Sequence, residues 1–201
     1  MIDWLESIDR SIVLTVNSWN SPFLDEVCWV FSARITWVPL YLLLIYLSWK
    51  HFGTKKTLLF VGIVVATIGL ADVTSVYFFK ENFQRYRPSH HALLTDKLHF
   101  YLTGKDKLGN NEYYKGGMYG FVSSHATNFF ALTILIGLSL RQRFPKLIWV
   151  LLGISVLICF SRLYLGAHYL SDLIGGAIWG SLLSYLSYRF IVKPYLLTPK
   201  E

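Results

Sequence analysis

Three short stretches of the chain carry side chains suited to phosphate chemistry. The first holds Lys80, Arg87 and Pro88, the second is Val122-Ser123-Ser124-His125, and the third holds Ser161, Arg162, His168 and Asp172. Lys80, Arg87 and Arg162 supply three cations, and arginine grips phosphate oxygens with bidentate geometry. Backbone N–H groups where Ser123 and Ser124 open a helix would add donors for an anion. His168 and Asp172 are four apart, so on a helix they share a face, where a carboxylate holds an imidazole in one tautomer and stabilises its charged form. His168 is then the candidate nucleophile and His125 the acid for the leaving group. Three fixed cations neutralise a transferring phosphoryl group without a metal, and the sequence has no carboxylate cluster of the Mg²⁺ type. The expected chemistry is phosphoryl transfer with no cofactor.

These residues must be held by a very apolar chain. Of 201 residues, 54% are apolar and 17% aromatic, the mean hydropathy is +0.43, and the net charge is +7. That composition excludes disorder, and the length suits one domain, residues 1–201. A basic chain raises nucleic-acid binding, but long apolar runs argue against it. Cys28 and Cys159 sit in apolar stretches and form neither a zinc spacing nor a disulfide framework. The N-terminus lacks the positive region of a cleavable signal peptide.

A membrane span needs about 20 mostly apolar residues to cross roughly 30 Å of hydrocarbon. Five segments qualify: about Phe23–Trp49, Thr57–Phe79, about Phe121–Leu140, Leu147–Gly166 and about Leu170–Val192. Before them, Trp4, Leu5, Ile8, Ile12, Val16 and Trp19 recur at helical spacing with Asp3, Glu6, Asp9 and Arg10 among them. This reads as an amphipathic interfacial helix, with a short sixth span as the alternative. The expected fold is all-α, a polytopic membrane bundle of five strong spans plus that N-terminal helix.

Charge sets the orientation. Residues 50–56, 141–146 and the tail from 189 hold nine of the 19 basic residues and one acid, leaving ten basic and eleven acidic residues elsewhere. Five antiparallel spans put those three segments on one side, and the positive-inside rule makes it cytoplasmic. All three phosphate-type stretches then meet at the opposite interface.

With this arrangement the sequence resembles the type 2 phosphatidic acid phosphatase (PAP2) superfamily of membrane lipid phosphate phosphatases. Its signatures K-x6-R-P and S-R-x5-H-x3-D match in full at Lys80, Arg87, Pro88 and at Ser161, Arg162, His168, Asp172. The P-S-G-H signature departs at Val122 and Ser124, and a glycine needing positive φ would be strained as serine. The resemblance covers about residues 25–190. It implies a helical bundle, a phosphohistidine at His168 and phosphate release without a metal. It also implies a phosphorylated membrane lipid as substrate, undecaprenyl diphosphate first, with lipid A phosphates and phosphatidylglycerol phosphate as competitors. A bacterial inner membrane, with the site facing the periplasm or exterior, fits the charge pattern. Two other readings remain open: a binding or transport relative without turnover, and a transferase passing phosphate from His168 to a second lipid.

Several polar residues have less specific roles. Arg85 is either a site contact or a solvated or headgroup contact. Asp72, inside the second span, orients Lys80 from behind or makes a structural hydrogen bond. Arg34 snorkels to the outer interface. Gly176, Gly180 and Ser184 read as close helix packing. His90, His91 and His99 read as solvated, in a long connection, about Ser89–Lys115, without clear elements. That connection is a candidate rim or lid. Trp29, Tyr86, Tyr101, Tyr113, Tyr114, Tyr119 and Tyr164 read as an interfacial belt. Oligomeric state is not legible.

Overall fold

The computed structural model describes residues 2–197. The side chain of Asp3, together with Lys200 and Glu201 of the basic tail, lies outside the described residues. Helices dominate: α1 is Ile2–Asn17, α2 Pro22–Ser32, α3 Val38–Phe52 and α4 Thr54–Ser75. A π turn at Val76–Lys80 extends α4 into the short α5, Glu81–Phe83. After a long connection come α6, Ser124–Leu140, α7, Leu147–Tyr164, and α8, Leu170–Ser187.

The central element is α6. Its residues are small or apolar nearly all round, and Ala126, Leu132, Leu135, Ile136 and Leu140 are all buried. Helices α4, α7 and α8 pack around it. Hydroxyl pairs join neighbours across the apolar interior: Thr133 to Ser155 at 2.9 Å and Thr67 to Ser187 at 2.8 Å. Where lipid replaces water, such bonds are worth about 0.6 kcal/mol each. The α6–α8 crossing depends on glycine. A Cβ on Gly176 would lie 2.5 Å from the Ser123 carbonyl, and one on Gly180 would overlap the Thr127 carbonyl outright.

The expectation of five strong spans is met only in part. By length and composition, Thr54–Phe83 and Leu147–Tyr164 can cross a membrane, and α2 with α3 make a third only if counted as one span bent by 67°. The bend falls where the sequence reading drew one continuous segment. Ala33 is extended (ψ 131°), Arg34–Trp37 forms a 3₁₀ turn, and Pro39 lies in the first turn of α3. Thr36 Oγ1 and Trp37 Nε1 donate to the carbonyls of Val30 and Phe31, so the open end of α2 is satisfied without further helix. Helix α6, at 17 residues, falls just short, because an extended Ser123 starts it late.

The fold is mostly helical, as expected, with one small exception. The long connection contains 3₁₀ turns and an antiparallel hairpin, β1 (Leu102–Lys105) with β2 (Asn111–Tyr113), in register Leu102 to Tyr113 and Lys105 to Asn111. Asp106 shapes its tip by accepting from the N–H groups of Leu108 and Asn110.

Helix α1 does more than lie on a surface. Trp4, Leu5 and Trp19 do face outward, but Asp9, Val13, Val16 and Asn17 form a buried face against α7 and α8. Asn17 locks the end of α1 in place, donating to the carbonyls of His99 and Tyr164 and accepting from His99 N–H.

Candidate active site

The chain from Lys80 to Pro88 is shaped residue by residue. The π turn at Val76–Lys80 widens the helix, and Lys80 Nζ donates to Ser124 Oγ at 2.7 Å. Gln84 then takes a left-handed conformation (φ 45°), ending the helix. Arg85–Arg87 runs antiparallel to Met118–Gly120, with Arg87 N–H to Met118 O at 3.0 Å and Gly120 N–H to Arg85 O at 2.9 Å. Pro88 keeps Arg87 extended (ψ 158°), and Arg87 Nε donates to Tyr119 O. A Cβ on Gly120 would stand 2.9 Å from Asp172 Oδ2 and 3.5 Å from His168 Nδ1, so this strand approaches the site only as glycine.

Arg162, 2% exposed, lies in the last turn of α7. Its Nη1 donates to Ser32 Oγ and its Nη2 to Tyr114 Oη at 2.6 Å, while Nε is buried without a partner. Tyr114 comes from the base of the hairpin and is braced by Trp29, which also stacks on Tyr101. The aromatic-belt expectation is therefore corrected here: Tyr114 binds a site arginine, and Tyr164 is buried with its hydroxyl donating to Asp25.

After α7 the chain turns at Gly166 and places His168, 1% exposed, before α8 rather than on it. The expected shared helix face is thus replaced by a capping arrangement. Asp172 is the third residue of α8, and its Oδ2 accepts from Tyr169 N–H at 3.0 Å while facing His168 Nδ1 at 3.5 Å. Its Oδ1 accepts from Arg85 Nη1 at 2.8 Å, which makes Arg85 part of the cluster. Burial, and then the charges of Arg87, Arg162 and Lys80, hold the His168 imidazole well below its ordinary pKa, so it is neutral at pH 7. An unprotonated ring nitrogen is what a nucleophile requires.

The second stretch also reaches this cluster. Ser123 N–H donates to Asp172 O at 3.0 Å, and Ser123 Oγ is buried without a partner. Ser124 opens α6 with ordinary backbone angles. Gln84 is the one non-glycine with positive φ among the described residues, so serine and valine in place of the family's glycine and proline leave this turn without left-handed strain. His125 follows in the first turn of α6 and reaches the Ser32 backbone beside Arg162. Asp72 accepts from Asn128 Nδ2 at 3.1 Å and makes no ion pair with Lys80.

Between α3, α4 and α6 lies an apolar cleft of about 460 Å³. Tyr41, Leu44, Phe60, Val64, Ile68 and Leu132 line its length, and Arg34, Asp72, Ser124 and His125 stand at one end. From Ser124 to Ile136 it extends about 18 Å at 1.5 Å per residue. His90, His91 and His99 gather no metal site: His99 pairs with Asp25, and no cluster of three or more His, Cys, Asp or Glu suited to a metal occurs among the described residues.

Asp9, Ser32, Tyr114, Ser171 and Gly120 belong to the cluster without having been singled out for it. Only Asp9 carried a usable signal, an acid one turn before Val13 on what proves to be the buried face of α1.

The PAP2 superfamily model matches residues 56–195. The chain belongs to the PAP2 superfamily. It is 31% identical over 195 residues to a lipid A 4'-phosphatase of Porphyromonas gingivalis, covering 97% of this chain and 76% of that one. A lipid A 4'-phosphatase of Bacteroides thetaiotaomicron is 34% identical over 188 residues, covering 94% and 79%. An undecaprenyl-diphosphatase of Bacillus subtilis is 33% identical over 78 residues, 38% of each chain. In fold, the chain is similar to the crystal structure of a transmembrane PAP2 type phosphatidylglycerolphosphate phosphatase from Bacillus subtilis, with TM-score 0.64, 22% identity, and coverage of 96% and 89%. This PAP2 protein is a phosphatase with a membrane-type helical fold.

Proposed function

We propose that this PAP2 phosphatase removes phosphate from a lipid at a membrane interface through a phosphohistidine on His168. The observation that carries the reading is one buried imidazole facing Asp172 and subject to the charges of Arg87, Arg162 and Lys80, beside an α6 start whose Ser124 and His125 line an apolar cleft. The three cations, the Ser124 N–H and the unpartnered Ser123 hydroxyl hold the phosphate oxygens. His168 Nδ1 faces Asp172, which leaves Nε2 to attack phosphorus. The P–O bond to the lipid breaks as the P–N bond forms, and His125 gives its proton to the departing oxygen. Water then cleaves the P–N bond and releases phosphate, with no step requiring a metal.

The favoured substrate is a phosphomonoester on a lipid A-type saccharolipid. Two lipid A 4'-phosphatases matching nearly the whole chain support this over undecaprenyl diphosphate, whose phosphatase matches 38%. The cleft suits one acyl chain. We also propose that residues 1–201 form one domain in the bacterial inner membrane. In that arrangement the basic segments face the cytoplasm and the site the periplasm or exterior.

The test is phosphate release by purified protein from lipid A, undecaprenyl diphosphate and phosphatidylglycerol phosphate, with and without EDTA. The expected result is preference for lipid A, unchanged by the chelator. Release only from a diphosphate, or loss of release in EDTA, contradicts the proposal. Tyr114 gives a second expectation. Its hydroxyl accepts from Arg162 and keeps its own proton free for a phosphate oxygen. Tyr114→Phe therefore raises KM about 10-fold and leaves kcat nearly unchanged, in line with a hydrogen bond to a charged group.

A further inference from the structure

Behind Asp172 lies a second buried carboxylate that the phosphatase chemistry above does not use. Asp9, 5% exposed, comes from α1, the helix that reads in sequence as amphipathic and interfacial. Arg85 spans the two acids, with Nη1 donating to Asp172 Oδ1 and Nη2 to Asp9 Oδ2, each at 2.8 Å. Its guanidinium also lies over the Tyr169 ring, 4.2 Å from the centroid. Asp9 grips the start of α8 as well: Oδ1 accepts from Ser171 N–H at 3.1 Å and Oδ2 from the Ser171 hydroxyl. Ser171 is adjacent to Asp172. One carboxylate from α1 thus holds both the arginine that binds Asp172 and the helical turn that carries it.

We propose that Asp9 is a positioning residue for phosphoryl transfer, acting on His168 through Arg85 and Asp172. The physical reason is charge balance in a buried site. Asp172 has its Oδ2 toward His168 and the Tyr169 N–H, and its Oδ1 toward Arg85. With Asp9 present, the Arg85 fork is divided between two carboxylates and the Ser171 hydroxyl, and Oδ2 stays facing an imidazole Nδ1 that has no hydrogen-bond partner of its own. Without the charge of Asp9, Arg85 turns both nitrogens to Asp172 in bidentate fashion, the preferred geometry for an isolated arginine–carboxylate pair. Oδ2 is then drawn off His168, and the imidazole loses the partner that stabilises it as positive charge develops during attack. Helix α1 therefore completes the site.

The inference rests on the proposed phosphatase reading, and the experiment separates the two. Asp9→Asn, nearly isosteric, is compared with Asp9→Glu, Arg85→Gln and the double variant Asp9→Asn/Arg85→Gln, measuring kcat, KM and melting temperature for each. Partners that orient a metal-bound imidazole from behind are worth about 10- to 100-fold, and the same scale is taken for an imidazole held for attack. Asp9→Asn is expected to lower kcat about 10-fold with KM within about twofold, and Asp9→Glu to recover part of the loss. In the Arg85→Gln background Asp9→Asn should have little further effect on kcat, because the path runs through Arg85. A purely structural cap would instead lower the melting temperature and leave kcat per folded molecule unchanged, which overturns the proposal. Additive losses in the double variant overturn it too. Wild type that releases no phosphate from any lipid overturns the phosphatase reading itself, whereas an active wild type with unaffected Asp9→Asn overturns this inference alone.

Discussion

His168→Ala lowers phosphate release by about 10^5-fold or more, the scale seen when the nucleophile of a catalytic unit is deleted. The remaining cations still bind phosphate, so KM changes far less than kcat. Arg162 keeps its bonds to Ser32 and Tyr114, and Lys80 keeps Ser124, without help from the imidazole. The decisive measurement uses substrate labelled on the phosphate and quenched in alkali, where phosphohistidine survives. Wild type should carry label on the protein, and the variant none. Equal release by wild type and His168→Ala, or labelled protein in both, would exclude His168 as the attacking group. Because burial and three cations hold the imidazole well below its ordinary pKa, the free enzyme keeps a neutral His168 as pH falls past 6.5. Loss of activity near that pH would then have to come from another group, such as the substrate phosphate with its second pKa of about 6.

The second large effect is on assembly. Gly180→Ala forces a methyl group into the Thr127 carbonyl at the crossing of α6 and α8. Backbone cannot swing aside as a side-chain tip can, so the helices must separate. The expected cost is about 3 kcal/mol, the upper end for overpacking. The site loses activity with it, since Ser123 and Asp172 sit at the starts of those two helices. Gly153, on α7, offers open space instead, with nothing within 4 Å of where a Cβ would stand, and serves as the comparison. Gly153→Ala should melt at or above the wild-type temperature, because alanine favours helix by about 1 kcal/mol. If both variants melt like wild type in detergent, the tight crossing does not contribute as described.

Much of this candidate site was legible in sequence because membrane-type helices are poor in polar residues. Lys80, Arg162, His168 and Asp172 stood out at the ends of apolar runs, and their alternation along the chain put them at one level. The parts that were not legible share a cause: their signals coincide with commoner uses of the same residues. Asp9 looked like one charge among several on an amphipathic helix, because Trp4, Leu5 and Trp19 suggested a lipid-facing stripe and hid the buried face at Asp9, Val13 and Asn17. Tyr114 looked like one interfacial aromatic among many. The break at Ala33–Trp37 was invisible because hydropathy does not register a turn whose carbonyls are met by Thr36 and Trp37. The count of five spans assumed that every long apolar run becomes one straight helix, and the bend in α2–α3 and the late start of α6 break that assumption.

The bond from Ser123 N–H to the Asp172 carbonyl has an evolutionary reading. It ties two separately encoded motifs together through peptide groups, which every residue except proline at position 123 supplies. Alanine scanning would pass over it, and so would drift in the neighbouring codons. The link therefore sets the spacing of the two helix starts without calling on any side chain. With valine at 122 and serine at 124, the bond from Ser123 N–H to the Asp172 carbonyl is still made.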